Sequence, residues 1–273
     1  MNRAELLFAV LVGIVQGIVE WLPISSQGNV SIVVTLVSDI DPAVAVDLAL
    51  FVQLGTIISA SAYYRDDIET ALRSAPEWRP HSAFSERNAD TTFILLASAA
   101  TGVVGIPLYL TLRDAVSGLA GGAFIAVIGA LLIVTGLLQR ASAAVDFQLK
   151  RTPTLFDTLL VGGFQGLTIL PGISRSGTTV SVMLLRGYEG PVSLRLSFLL
   201  SIPASLGAAV LVVVIGGGLP GISVLAAGVA LVTSALVGYL TIDALMRVVE
   251  RVPFWLVCVG LGGLAVVGGL VVL

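Results

Sequence analysis

Residues 161–178 read VGGFQGLTILPGISRSGT, an apolar run that breaks into a knot of Pro171, Gly172, Ser174, Arg175, Ser176 and Gly177. Arg175 is the only charged residue between Asp157 and Arg186. The chain around it has 273 residues, 56% hydrophobic and only 11% charged, with mean hydropathy +1.03. A soluble domain carries about 25% charged residues, so this composition is that of a membrane protein. The same knot recurs near the N-terminus in VGIVQGIVEWLPISSQGN, residues 12–29. Val, Gly, Gln, Gly, Ile, Ser and Gly coincide without a gap at an offset of 149, from Gln16 to Gln165. Irregular backbone at membrane depth is tolerated only where protein buries it or where it lines a wet cavity. Residues 4–37 and 155–187 therefore read as two re-entrant helix–loop–helix hairpins, each returning to the side it came from.

Six further stretches are long and apolar enough to cross a bilayer, which takes roughly 20 residues. They lie at about 47–64, 91–110, 119–138, 194–215, 221–246 and 253–273. Each hairpin is thus followed by three spans, an odd number of crossings, so the second copy stands upside down relative to the first. The expectation is an all-α integral membrane protein with an inverted-topology repeat. It forms one membrane domain over 1–273, with halves 1–140 and 155–273.

Charge provides a check on this topology. It places Arg65, Arg73, Arg79, Arg87, Arg140, Lys150, Arg151, Arg186, Arg195, Arg247 and Arg251 on one side, against Arg3 and Arg113 on the other. Basic loops stay inside, so the reading is a multi-pass protein of the cell membrane with both termini outside. The first residues begin like a signal peptide, but the apolar run meets Gln16 and Glu20 in place of a cleavage site and reads as mature protein. A net charge of −3 and the lack of a basic tract argue against nucleic acid as a partner. Cys258 is the single cysteine and makes no internal disulfide. The one histidine, His81, falls in the most polar loop, which excludes a histidine site within the membrane.

Inverted repeats with broken helices place their polar site where the repeats meet, with helix ends aimed at the ligand. The two tips should therefore meet near the midplane, Arg175 facing Ser25, Ser26 and Asn29. Glu20 is the only acid between Glu5 and Asp39. A carboxylate at a helix centre in hydrocarbon costs about 2.5 kcal/mol or more, which marks it as functional. Gln16, four residues earlier, shares its helix face. In SRSG, Arg175 offers a planar fork suited to phosphate oxygens. Gly172 and Gly177 let backbone N–H groups approach, and the following helix presents its positive end. Ser174, Ser176, Thr178 and Thr179 add hydroxyls that either bind an anion or cap that helix, and Ser25 or Ser26 is either a nucleophile or a cap. Asp47 and Arg195 begin the first spans of the two halves, where they either pair with each other or sit in interfacial water.

These motifs resemble the undecaprenyl-diphosphate phosphatase family, the bacitracin-resistance proteins. The first family signature reads QGIVEWLPISSQGN here, the second PGISRSGTT, and LSFLLSIPASLGA also matches. The resemblance covers nearly the whole chain. It implies hydrolysis of a polyprenyl diphosphate, of undecaprenyl or dolichyl type, to the monophosphate, aided by a divalent cation such as Mg2+ or Ca2+, to recycle a lipid carrier for envelope glycans. By motif position, Glu20 and Gln16 serve the metal or the base, Ser26 is nucleophile or phosphate ligand, and Arg175 clamps the diphosphate. Gln16, Ser25, Asn29, Ser174, Ser176, Gly177, Thr178 and Thr179 contact substrate. Two departures stand out: Asn29 replaces the histidine that ends the first motif, and Arg195 replaces a glutamate before LSFLL. Asparagine cannot relay a proton, so that duty falls to Glu20 or to the substrate's own phosphate, or else Glu20 activates water directly without a covalent serine. An alternative from another class is a polyprenyl-phosphate transporter or flippase using the same midplane site, and a third is a lipid-phosphate receptor. Glycine-lined spans would allow a homodimer.

Overall fold

The computed structural model describes residues 3–38, 40–74, 78–85, 88–144, 150–215, 217–219, 221–249 and 251–273. Arg87, one of the loop cations counted above, lies outside the described residues. Eleven α-helices occur among the described residues: α1 Arg3–Val19, α2 Ser26–Val37, α3 Pro42–Tyr63, α4 Arg65–Ser74, α5 Ala89–Val116, α6 Gly121–Ala143, α7 Leu155–Leu167, α8 Arg175–Leu185, α9 Gly190–Ile215, α10 Val224–Val249 and α11 Phe254–Val271. Six of them, α3, α5, α6, α9, α10 and α11, are long and apolar enough to cross a membrane. They coincide with the six stretches read from sequence. The two expected hairpins are α1–α2 and α7–α8, bent at 20–25 and 168–174.

Capping chemistry explains the breaks. Ser25 caps α2 by accepting from Gly28 N, and Ser174, at the same offset of 149, caps α8 by accepting from Gly177 N. Asp41 caps α3 ahead of Pro42, which suits the first helical turn because its missing N–H has no partner there. The α4 helix was not foreseen. It carries Asp66 and Asp67 in its first turn and Arg73 in its last, charges that complement the helix dipole and form a short amphipathic helix in what reads as a polar loop.

The core is built around α3, buried on nearly every face through Leu48, Leu50, Phe51 and Val52. A helix that is apolar all round belongs inside the bundle. The packing partners are distant in sequence: α1 lies along α10, α7 along α5, α3 against α9 and α6 against α11. The α6–α11 contact is antiparallel and glycine-lined. A methyl group on Gly129 would lie 2.5 Å from the Gly262 carbonyl, and one on Gly262 would lie 2.6 Å from the Gly129 carbonyl. Only the absence of side chains permits that approach.

Asp47 and Arg195 do not pair. Asp47 accepts from the Tyr109 hydroxyl at 2.8 Å and faces Arg113 Nε at 3.5 Å. Arg195 bridges Asp67 at 3.3 Å and Asp90 at 2.7 Å, tying α9 to α4 and α5. Each is held by local charges at its own end of the bundle. The mouth of the second hairpin is fixed by Asp157, which accepts from Tyr188 at 2.7 Å, from Thr154 at 2.8 Å and from Arg186. Burial, and then the Asp157 carboxylate beside it, holds the Tyr188 phenol well above its ordinary range, so it stays a donor.

Candidate active site

The two bends touch. Ser25 has φ 62°, a left-handed backbone rare outside glycine, and its hydroxyl accepts from Gly28 N at 3.3 Å and from Gly172 N of the opposite bend at 3.1 Å. Gln27 donates to the Ile169 carbonyl at 2.9 Å, a second link between bends. Glycines make the approach close: a methyl on Gly28 would lie 2.8 Å from Gly172 N. The α6 helix braces both. Its Gln139 donates to the Pro23 carbonyl at 2.6 Å, and its Thr135 donates to the Gly172 carbonyl and accepts from Ser174 N, each at 3.1 Å.

At this junction Glu20 is 6% exposed, with every oxygen engaged. Oε2 accepts from Gln16 Nε2 at 2.6 Å and from the Ser26 hydroxyl at 2.7 Å, while Oε1 meets Arg175 Nη2. Arg175 Nη1 donates to the Ser205 hydroxyl and to the Ser201 carbonyl at 3.4 Å, and Ser205 in turn donates to Gln53 Oε1 at 3.1 Å. Ser26 and Arg175 are the first residues of α2 and α8, so the serine oxygen and the guanidinium stand at two helix N-termini whose partial positive charge favours an anion between them. A cavity of about 340 Å³ opens on this cluster, of ligand-binding size. Among its lining residues only Glu20 and Arg175 are charged; Leu50, Ile106, Ile169 and Leu211 make its apolar reach.

The structure thus brings Glu20, Ser26 and Arg175 together. The other residues named from sequence have separate places. Gln16 is fully buried behind Glu20, also reaching Thr56 at 3.4 Å. Ser25 lines the cavity. Asn29 does not line it: its amide donates to the carbonyls of Ile24 at 2.7 Å and Ser25 at 2.9 Å, closing the turn of its own hairpin. Ser174 and Gly177 form the α8 cap, and Thr179 bonds the Arg175 carbonyl at 2.9 Å and the Ser197 hydroxyl at 2.6 Å. Ser176 and Thr178 are buried, and the Thr178 hydroxyl has no hydrogen-bond partner among the described residues. Sequence reading missed Gln53, Ser201 and Ser205, which position the guanidinium. A signal for them existed: Gln53 is the sole amide in its span, and the two serines lie four apart on one helix face.

The resemblance implies a divalent cation, and the donor set allows one. Among the described residues no three His, Cys, Asp or Glu side chains cluster. The hard donors at hand are the Glu20 carboxylate and Gln16 Oε1, a buried oxygen with no hydrogen-bond partner among the described residues. One carboxylate and one amide oxygen suit an ion that takes its remaining ligands from phosphate and water, as Mg2+ commonly does.

Comparison with known proteins agrees with the motifs. The model of the bacitracin resistance protein BacA family matches residues 9–264. The chain belongs to the BacA family. Curated relatives cover nearly all of it and carry the name undecaprenyl-diphosphatase. That of Haloarcula marismortui is 54% identical over 269 residues, 98% of each chain. That of Methanococcoides burtonii is 41% identical over 261 residues, 94% of this chain and 96% of its own. That of Methanopyrus kandleri is 37% identical over 272 residues, 97% and 96% respectively. A BacA-family chain of this length therefore carries both family signatures at the two bends that meet.

Proposed function

We propose that this BacA-family protein hydrolyses a polyprenyl diphosphate to the monophosphate at the junction of the two bends, returning a lipid carrier to envelope glycan synthesis. The observation that carries the reading is the Ser26 hydroxyl donating to Glu20 Oε2 at 2.7 Å while Arg175 holds the other oxygen of the same carboxylate. A binding site for an anion needs the arginine; an acid beside that anion serves a reaction, by moving a proton or by holding a cation. When a diphosphate enters, its oxygens compete for the guanidinium, which swings from Glu20 to the phosphate as a planar two-pronged donor. Glu20 then takes the Ser26 proton, Oγ attacks the terminal phosphorus, and the anhydride bond breaks with the lipid monophosphate leaving. Water opens the phosphoserine, and Glu20 returns the proton. Arg175 and the two helix N-termini meet the charge that develops on the phosphoryl oxygens. A divalent cation, Mg2+ or Ca2+, would be held by Glu20 and Gln16 and would supply further charge neutralisation. Asn29 takes no part in proton transfer on this reading, since its amide is committed to its own turn.

The proposal extends to topology. The halves are two copies of one unit in opposite orientation, supported by the exchanged packing of α1 on α10 and α7 on α5, and by the antiparallel α6–α11 contact. Both termini face outside the cell membrane, supported by the basic loops. Leu50, Ile106 and Leu211 line the cavity toward the end of the bundle where Asp47 and Arg113 lie, so the headgroup arrives from the outer face with its chain still in lipid.

Phosphate release from farnesyl or longer polyprenyl diphosphate by the purified protein, with and without EDTA, tests the reading. We expect release that EDTA suppresses and that falls at least about 100-fold in Glu20→Ala and in Arg175→Ala. Full release from both variants refutes the site.

A further inference from the structure

The cavity has a second polar wall, opposite in character to the first. Gln165 on α7 is 2% exposed, lines the cavity, and its Oε1 has no hydrogen-bond partner among the described residues. Its Nε2 donates to the Thr101 hydroxyl at 3.2 Å, leaving its second hydrogen unused. Ser98, one helical turn before Thr101 on α5, also lines the cavity, and its buried hydroxyl has no hydrogen-bond partner among the described residues. Buried polar groups are paired in the great majority of proteins, and unpaired ones call for an explanation. Here two of them belong to residues that line the same space, each oxygen itself buried.

The repeat shows how the wall arose. Gln16 and Gln165 are counterparts at the offset of 149, but Glu20 has Ile169 as its counterpart. Gln16 Nε2 is spent on the carboxylate at 2.6 Å; Gln165 has no acid to serve and lines the cavity with its amide turned to Thr101. Meanwhile Arg175 is the only basic residue lining the cavity among the described residues. A diphosphate brings two phosphoryl groups, and one guanidinium fork saturates one of them.

We infer that Gln165 and Ser98, with Thr101 orienting the amide, form a neutral subsite for the second phosphoryl group of the headgroup, setting the preference for a diphosphate over a monophosphate. Gln165 Nε2–H and the Ser98 hydroxyl donate to its oxygens, and Gln165 Oε1 accepts from a phosphate hydroxyl or from water around it. The inference rests on the proposed hydrolase reading and adds a specificity determinant to it. Thr101 is a positioning residue: its hydroxyl also donates to the Ala97 and Gly162 carbonyls, at 2.7 and 3.0 Å, and so is fixed between α5 and α7.

The test uses the full-length protein in detergent, with farnesyl diphosphate and farnesyl monophosphate as probes. Equilibrium binding is measured in a Glu20→Gln background and turnover in the active protein. Gln165→Met keeps the side-chain length without the amide and should weaken diphosphate binding about tenfold, the size of one hydrogen bond to a charged group, while changing monophosphate binding less than about twofold. In the active protein the same change should raise KM about tenfold and leave kcat within about threefold. Ser98→Ala removes a hydroxyl with no partner among the described residues, so folding should be little affected, and it should shift the same ratio in the same direction. Equal losses for both probes, or none, in Ser98→Ala and in folded Gln165→Met would overturn the subsite. Diphosphate binding without phosphate release from the unsubstituted protein would instead overturn the hydrolase reading and leave the subsite standing.

Discussion

At the scale of single residues, the chemistry turns on which polar atoms are committed and which are left open. Glu20 has three donors on two oxygens, so its geometry is fixed before any ligand arrives. Asn29 stands where the family motif carries histidine, yet its amide holds the carbonyls of Ile24 and Ser25. Its contribution is to shape the bend that presents Ser26. Asn29→Ala should therefore cost about 1–3 kcal/mol by removing the side-chain donor to the Ile24 carbonyl, while the Ser25 carbonyl keeps the Asn29 backbone N–H; it is read as a lower thermal midpoint, with kcat falling as Ser26 loses its placement. Asn29→His should not raise the rate; a gain would show a proton-relay role that the hydrogen bonds argue against. Charged residues announced themselves in the sequence, because Glu20 and Arg175 are isolated in apolar runs. Gln53, Ser201 and Ser205 gave a far fainter signal, since single amides and hydroxyls in a span also serve as packing residues, and only folding shows them converging on one guanidinium.

The two bends are the elements that matter most, and they were the most legible part of the chain. A Pro-Gly-Ser knot inside an apolar run cannot continue a helix, and serine at a cap position says where the next helix begins. What the pattern did not reveal is that one serine, Ser25, serves both bends, accepting a backbone N–H from each. The short helix α4 escaped notice for the opposite reason: its residues are so charged that hydropathy reads them as loop, although their order along the helix matches its dipole. Gly28 sets the separation of the bends. Gly28→Ala puts a methyl 2.8 Å from Gly172 N, which the bends can relieve only by moving apart. We expect a loss of stability of about 1–3 kcal/mol, as for an overpacked core, and a fall in phosphate release of at least about tenfold in protein that still reaches the membrane. Unchanged turnover in that variant would mean that Ser26 and Arg175 need not keep their present spacing.

For the molecule as a whole, the six spans and two hairpins were readable because a bilayer imposes a length and a polarity that few other folds share. The pairing of helices distant in sequence was not, since it depends on three-dimensional contacts such as that of Gly129 with Gly262. Orientation can be measured directly. Gly118 lies in the α5–α6 turn with open space around it, and Arg251 is exposed in the α10–α11 turn. Cys258 is fully buried and gives little background. Gly118→Cys should react with a membrane-impermeant maleimide on intact cells, and Arg251→Cys only after permeabilisation; the reverse pattern would invert the proposed topology.

The contact between Glu20 and Arg175 has a consequence for the bilayer itself. A cleft carved into the hydrocarbon would be a stepping stone for small ions if it held a lone charge, and a leak there would dissipate the gradients the cell lives on. With one positive and one negative group clasped together, the empty cleft shows a passing proton or chloride no net attraction, and the membrane stays an electrical insulator. Vesicles reconstituted with the unsubstituted protein should hold a chloride gradient as long as protein-free vesicles do, whereas those carrying Glu20→Ala, with a bare guanidinium, should lose it sooner.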